Sequence, residues 1–193
     1  AALSGLAAVM DADLSGPIAA LLDDEEYDVR KAVVAALHTR PLDGYRDALR
    51  AVLEKGNEGS ARTALEVLSA RLDDPLPDTV LGDLVPPIAA LTNCRDHEWG
   101  CREAGTVLAR AGAFAELRPR LVEYLEKGDP WDREHAAKLI LRGYTDRKIG
   151  QDFLGPDLAG LLVALLDDQG IAGCTGATAA RALVAGGWTP DPA

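Results

Sequence analysis

Aromatic residues are scarce in this chain: two Phe, four Tyr and three Trp, 5% of 193 residues. Sheet cores draw on aromatic and β-branched side chains. A composition poor in aromatics and rich in alanine and leucine argues for close-packed helices instead. Cysteine is rarer still. Three thiols, Cys94, Cys101 and Cys174, do not make a disulfide framework, and point to a reducing, cytoplasmic setting. No apolar run approaches the ~20 residues that span a bilayer, so no membrane is expected as partner. No signal-peptide pattern is visible, and the start at Ala1 rather than Met leaves upstream sequence open. Positive charge is also in deficit, with 20 Lys and Arg against 31 Asp and Glu, a formal net charge of −11. Such a chain as a whole repels the phosphate backbone, which disfavours nucleic acid as a partner. Recognisable catalytic signatures are missing too: there is no GxSxG, no Gly-rich phosphate loop, no HExxH and no EF-hand loop. No cofactor is expected.

What the chain does have is self-similarity. Pro17-Ile18-Ala19-Ala20-Leu21 returns as Pro87-Ile88-Ala89-Ala90-Leu91. Leu53-Glu54-Lys55-Gly56 returns 72 positions on as Leu125-Glu126-Lys127-Gly128, and Ala20-Leu21-Leu22-Asp23-Asp24 returns 144 positions on as Ala164-Leu165-Leu166-Asp167-Asp168. A fixed period in a helix-forming sequence is the signature of stacked helical repeats. The hydrophobic share of 48% suits a folded chain and excludes wholesale disorder.

The period resolves into alternating units. In the odd units an Asp-Leu pair precedes an apolar helix: Asp13-Leu14, Asp83-Leu84 and Asp157-Leu158. Asp in that place is read as an N-cap, its carboxylate accepting the free N–H groups of the first turn. Pro17, Pro86 and Pro87 fall early in their helices, where a missing N–H does little harm. Ile18, Leu21 and Leu22 then follow the i, i+3, i+4 spacing of one buried side. In the even units Arg46, Leu49 and Leu53 match Arg118, Leu121 and Leu125. The spacing predicts five helix pairs over about 14–38, 42–71, 84–111, 115–143 and 158–187. Gly186-Gly187 ends the last helix, and residues 188–193 read as a tail. All of residues 1–193 form one domain in this reading.

Leu21-Leu22-Asp23-Asp24, Asp28-Val29-Arg30, Ala32 and Ala36-Leu37 resemble a HEAT repeat. So does the run from Leu125 through Asp132-Arg133 to Ala136-Ala137. The resemblance is to the short bacterial HEAT repeats that also occur in phycobilin lyase subunits. Unit two departs from it, with no Asp before Arg62, and unit five has Cys174-Thr175-Gly176 where the Arg belongs. The resemblance implies an all-α, right-handed α-α superhelix of the HEAT/armadillo kind, with second helices lining a concave face. It implies that Arg30 and Arg133 pair with an Asp of a neighbouring unit. It also implies a scaffold that binds another protein, with two alternatives on the same fold: an enzyme like the HEAT-like glycosylases that excise alkylated bases from DNA, or a lyase or maturation helper subunit.

The candidate binding residues gather at the turns. Asp23, Asp24, Glu25, Glu26 and Asp28 share one turn, and Asp96 and Glu98, Asp129 and Asp132, and Asp167 and Asp168 occupy the matching ones. Stacked repeats would align them as an acidic ridge, which fits a protein with a basic patch. Tyr27 matches Trp99 at 72 positions, and Trp131 stands at the position of Gly59. Apolar residues there either close each turn or, in the case of Trp99 and Trp131, act as binding hot spots. Arg102 and Arg133 stand at the starts of second helices. His38, Arg110, Arg71 and Arg142 stand at helix ends, where cations offset the macrodipole. Cys94-x-x-His97-x-x-x-Cys101 offers zinc-ligand chemistry without a standard zinc spacing. It coincides with a two-residue insertion in the unit-three turn, and insertions in repeat turns fall on working faces.

Overall fold

The computed structural model describes residues 15–37, 40–55, 57–71, 81–92, 98–167 and 174–189. These residues are helical, without a strand among them, and form ten α-helices. Their bounds follow the five predicted pairs: α1 Ser15–Leu22 and α2 Tyr27–Leu37, α3 Arg46–Lys55 and α4 Glu58–Arg71, α5 Val85–Leu91 and α6 Glu98–Arg110, α7 Phe114–Lys127 and α8 Pro130–Thr145, α9 Gly155–Ala164 and α10 Thr175–Ala185. Short 3₁₀ turns at Leu42–Gly44, Gly82–Leu84 and Gln151–Phe153 precede α3, α5 and α9. The chain divides into two compact units, Ala1–Val107 and Leu108–Ala193, with the division inside α6.

In the first unit α1 packs on α2 and α3, α2 on α4, and α3 on α4 and α5. First helices therefore touch first helices, and second helices touch second helices. The buried stripe predicted from i, i+3, i+4 spacing forms the core, with Leu22, Leu37, Leu49, Leu65, Leu68 and Ile88 all at or below 1% exposure. Withdrawing each such side chain from water stabilises the unit by roughly 1.5–3 kcal/mol.

The second unit repeats the scheme: α7 packs on α8 and α9, α8 on α10, and α9 on α10. Small buried residues, Ala136 and Ala137 of α8 and Gly176, Ala179 and Ala182 of α10, suit the close packing of these two helices. Phe114 and Phe153 meet edge to face at 5.5 Å. The glycine pair ends α10 as the sequence indicates. Gly187 has φ +72°, its N–H reaches the Val184 carbonyl, and the Trp188 N–H reaches the Leu183 carbonyl, the Schellman arrangement. Trp188 is not part of a tail: it is half-buried against the unit.

The Asp-Leu pairs do not cap. Asp83 lies inside the 3₁₀ turn, Asp157 is the third residue of α9, and neither α5 nor α9 has a side-chain N-cap. Both carboxylates are taken by an arginine one repeat earlier instead. Arg46 Nη1 lies 3.2 Å from Asp83, and Arg118 Nη2 lies 2.6 Å from Asp157. Arg46 and Arg118 are the pair matched at 72 positions, so the contact is itself a repeat feature, one in each unit. Asp13 lies outside the described residues.

Candidate functional site

The turn before α2 shows how its acids are used. Asp23 accepts hydrogen bonds from Asn57 Nδ2 at 3.0 Å and from the buried Ser60 hydroxyl, and so ties this turn to the next unit's turn. Asp24 accepts from the Glu26 N–H at 2.8 Å. Arg30 donates through Nη1 to the carbonyls of Asp24 at 2.6 Å and Glu25 at 2.9 Å. For Arg30 this corrects the expected pairing: among the described residues it closes its own turn through backbone carbonyls and pairs with no carboxylate of a neighbouring unit. Glu25, Glu26 and Asp28 are exposed and form no ion pair among the described residues. Tyr27 stands among them at 53% exposure, with the Arg30 guanidinium 6.0 Å from its ring centre.

The turn before α8 in the second unit, which stands 72 positions after Gly56-Asn57-Glu58, is built by Gly128-Asp129-Pro130. A Cβ on Gly128 would strike the Tyr124 carbonyl and come within 2.6 Å of Asp132 Cβ, so only glycine fits there. Asp129 is a true N-cap, accepting from the Asp132 N–H at 2.8 Å, and Pro130 starts the helix. Trp131 follows at 56% exposure. The turn-closing reading of Tyr27 and Trp131 is thereby corrected, since a side chain sealing a turn against its neighbour would be buried. Exposed aromatics beside acidic turns instead recur in both units. Asp132 and Arg133 flank Trp131 and are half-buried.

The remaining candidates stand as follows. Glu98 and Trp99 lie in the first turn of α6, where the backbone alone is described. Arg102 lies further along α6, half-buried. Asp96, with Cys94 and His97, lies outside the described residues, as do the inserted turn positions, Asp168 and His38. Cys101 is buried in α6 and Cys174 is exposed just before α10. Among the described residues no three metal-ligating side chains come together. No described helix is long and apolar enough to cross a membrane.

Three features were not foreseen. Arg71, expected to offset the dipole of its own helix end, reaches back one repeat. Its Nη1 meets the carbonyls of Leu37, at 3.2 Å, and Arg40, and the Tyr45 hydroxyl at 3.0 Å. Tyr45 is buried, and burial raises its phenol pKa against the opposing pull of Arg71. The Arg46–Asp83 and Arg118–Asp157 pairs are the second. Their signal was in the sequence: Arg46 stands 37 residues before Asp83 and Arg118 stands 39 before Asp157, about one repeat in each case. The third is an open groove of about 560 Å³ in the second unit, lined by Gln151, Leu154, Pro156, Gly160, Val163 and Trp188 among others. Compared with protein families, curated proteins and solved structures, the chain matches none.

Proposed function

We propose that this protein is a non-enzymatic HEAT-like scaffold that binds another protein through its acidic, aromatic-bearing turns. The observation that carries the reading is the recurrence of a more than half-exposed aromatic at the start of a second helix in both units, Tyr27 and Trp131. Tyrosine and tryptophan are enriched at binding hot spots because they supply large contact area at low entropic cost. The unpaired Glu25, Glu26 and Asp28 beside Tyr27 suit a partner bearing a basic patch. First-on-first and second-on-second packing inside each unit supports a stack of repeats, and we extend it to a right-handed superhelix over residues 1–193 whose second helices line the concave face. The small, odd number of cysteines suits a cytoplasmic setting.

The test is affinity capture followed by mapping on variants. Partners recovered by the wild-type chain should lose roughly tenfold or more in affinity to Trp131→Ala or to Glu25→Lys/Glu26→Lys, variants whose altered side chains are exposed and whose helical content should be unchanged. A partner that binds these variants as tightly as the wild type, or recovery of DNA or small molecules alone, overturns the proposal.

A further inference from the structure

Asp43 is the only Asp or Asn in the chain that is followed by glycine. It lies in the 3₁₀ turn Leu42–Gly44 between α2 and α3, an exposed step between two buried anchors. Leu42 before it and Tyr45 after it are buried, while the Asp43 side chain is 90% exposed. A Cβ on Gly44 would meet nothing within 4 Å, so no side chain, its own or a neighbour's, crowds that side of the peptide. Weak tethers hold the turn. The Gly44 N–H reaches the Pro41 carbonyl at 3.3 Å, and Arg46 reaches Asp43 Oδ1 through Nη2 at 3.3 Å and Nε at 3.4 Å. All three lie beyond the ~3.2 Å at which ordinary N–H···O bonds end. A short turn with exposed backbone hydrogen bonds opens locally at low cost.

In the opened turn the Asp43 carboxyl and the next backbone nitrogen can react. The Gly44 nitrogen attacks Asp43 Cγ and loses its proton. The carboxyl takes a proton from solvent and releases one oxygen as water, and a succinimide ring closes. Water then adds at one of the two ring carbonyls. Addition at Cγ breaks the new bond and restores aspartate. Addition at the main-chain carbonyl breaks the original peptide bond and leaves isoaspartate, with the chain running through Cβ and Cγ. Water is the only co-reactant. Every other aspartate precedes a residue with a side chain, which crowds the attacking nitrogen. Isoaspartate lengthens the main chain by one atom between Leu42 and Tyr45. Tyr45 is held too firmly to follow. Its N–H bonds the Leu42 carbonyl at 3.1 Å, its hydroxyl donates to the Leu37 carbonyl at 3.2 Å, and that hydroxyl accepts from Arg71 Nη1 at 3.0 Å.

We propose that Asp43-Gly44 is a site of spontaneous isoaspartate formation, and that the modification loosens the Tyr45–Arg71 anchor beside it. The proposal stands apart from the reading of the acidic turns. The test holds the full chain for several weeks at neutral pH and body temperature. Peptide mapping, with an enzyme that methylates isoaspartyl carboxyls as the probe, should find isoaspartate at position 43 ahead of every other aspartate. The thermal midpoint should fall as it accumulates. Gly44→Ala puts a methyl group into open space at a residue outside the left-handed region. This variant should fold as the wild type does, slow the modification several-fold or more, and keep its thermal midpoint through the same incubation. A wild-type chain whose residue 43 stays aspartate throughout overturns the proposal, and so does a Gly44→Ala chain modified at the wild-type rate. Isoaspartate at position 43 with an unmoved thermal midpoint overturns the coupling to the anchor.

Discussion

Two glycines inside helices, Gly143 of α8 and Gly160 of α9, meet opposite surroundings. A Cβ on Gly143 would lie 2.6 Å from Phe114 Cζ and 2.8 Å from Ile149 Cδ1. Gly143→Ala overpacks that contact and should destabilise the chain by about 1–3 kcal/mol, against the ordinary helix preference for alanine. Gly160→Ala meets nothing and should stabilise by about 0.5–1 kcal/mol. Urea unfolding of dilute protein separates the two signs. Arg71 gives a second prediction at this scale. Its guanidinium joins two carbonyls and the Tyr45 phenol, so Arg71→Met keeps the aliphatic stem and removes charge-assisted hydrogen bonds. The expected loss is about 1.5–3 kcal/mol, read as a lower urea midpoint with an unchanged slope. Tyr45→Phe should cost less, about 1 kcal/mol, because Arg71 keeps its carbonyl partners.

Between elements, the recurring arginine–aspartate pair bridges one first helix to the start of the next. The Asp157 carboxyl is pulled below its ordinary value, chiefly by its hydrogen bond to Arg118. A depressed folded-state pKa means that the stabilisation is fully present above the unfolded value. It fades as pH falls through the folded one. The pair is exposed, with side-chain exposures of 35% and 48%, so solvent screening holds its worth to about 0–1 kcal/mol. Arg118→Ala should therefore leave stability near neutral pH almost unchanged, and should return the Asp157 titration, followed by NMR, toward the usual carboxylate range. An Asp157 titration unmoved by the substitution would reject the coupling. This pairing marks the limit of what the sequence discloses. Asp83 and Asp157 precede apolar helices, which is the local pattern of an N-cap, and nothing local distinguishes a cap from an aspartate claimed by an arginine about one repeat away. Asp129, with Pro130 at the first helical position, carries the fuller local pattern and does cap. Helix positions were legible because period and hydrophobic spacing are local properties. The partners of Arg46 and Arg71 were not, because they are fixed by which turn lies beside which. The groove escaped notice for a related reason: its lining comes from a 3₁₀ turn, one side of α9 and Trp188, which are separate in the chain.

At the scale of the whole molecule, the net charge of −11 works in favour of the proposed contact at the acidic turns. A basic partner at the Tyr27 turn is drawn by Glu25, Glu26 and Asp28, so screening weakens its capture. Raising NaCl from about 0.1 M to about 1 M shortens the Debye length from ~10 Å to ~3 Å. Across that range, a lysine-rich peptide titrated calorimetrically against the chain should lose affinity, and Glu25→Lys/Glu26→Lys should flatten that salt dependence. An affinity that salt leaves unmoved would mean that these carboxylates do not draw the peptide.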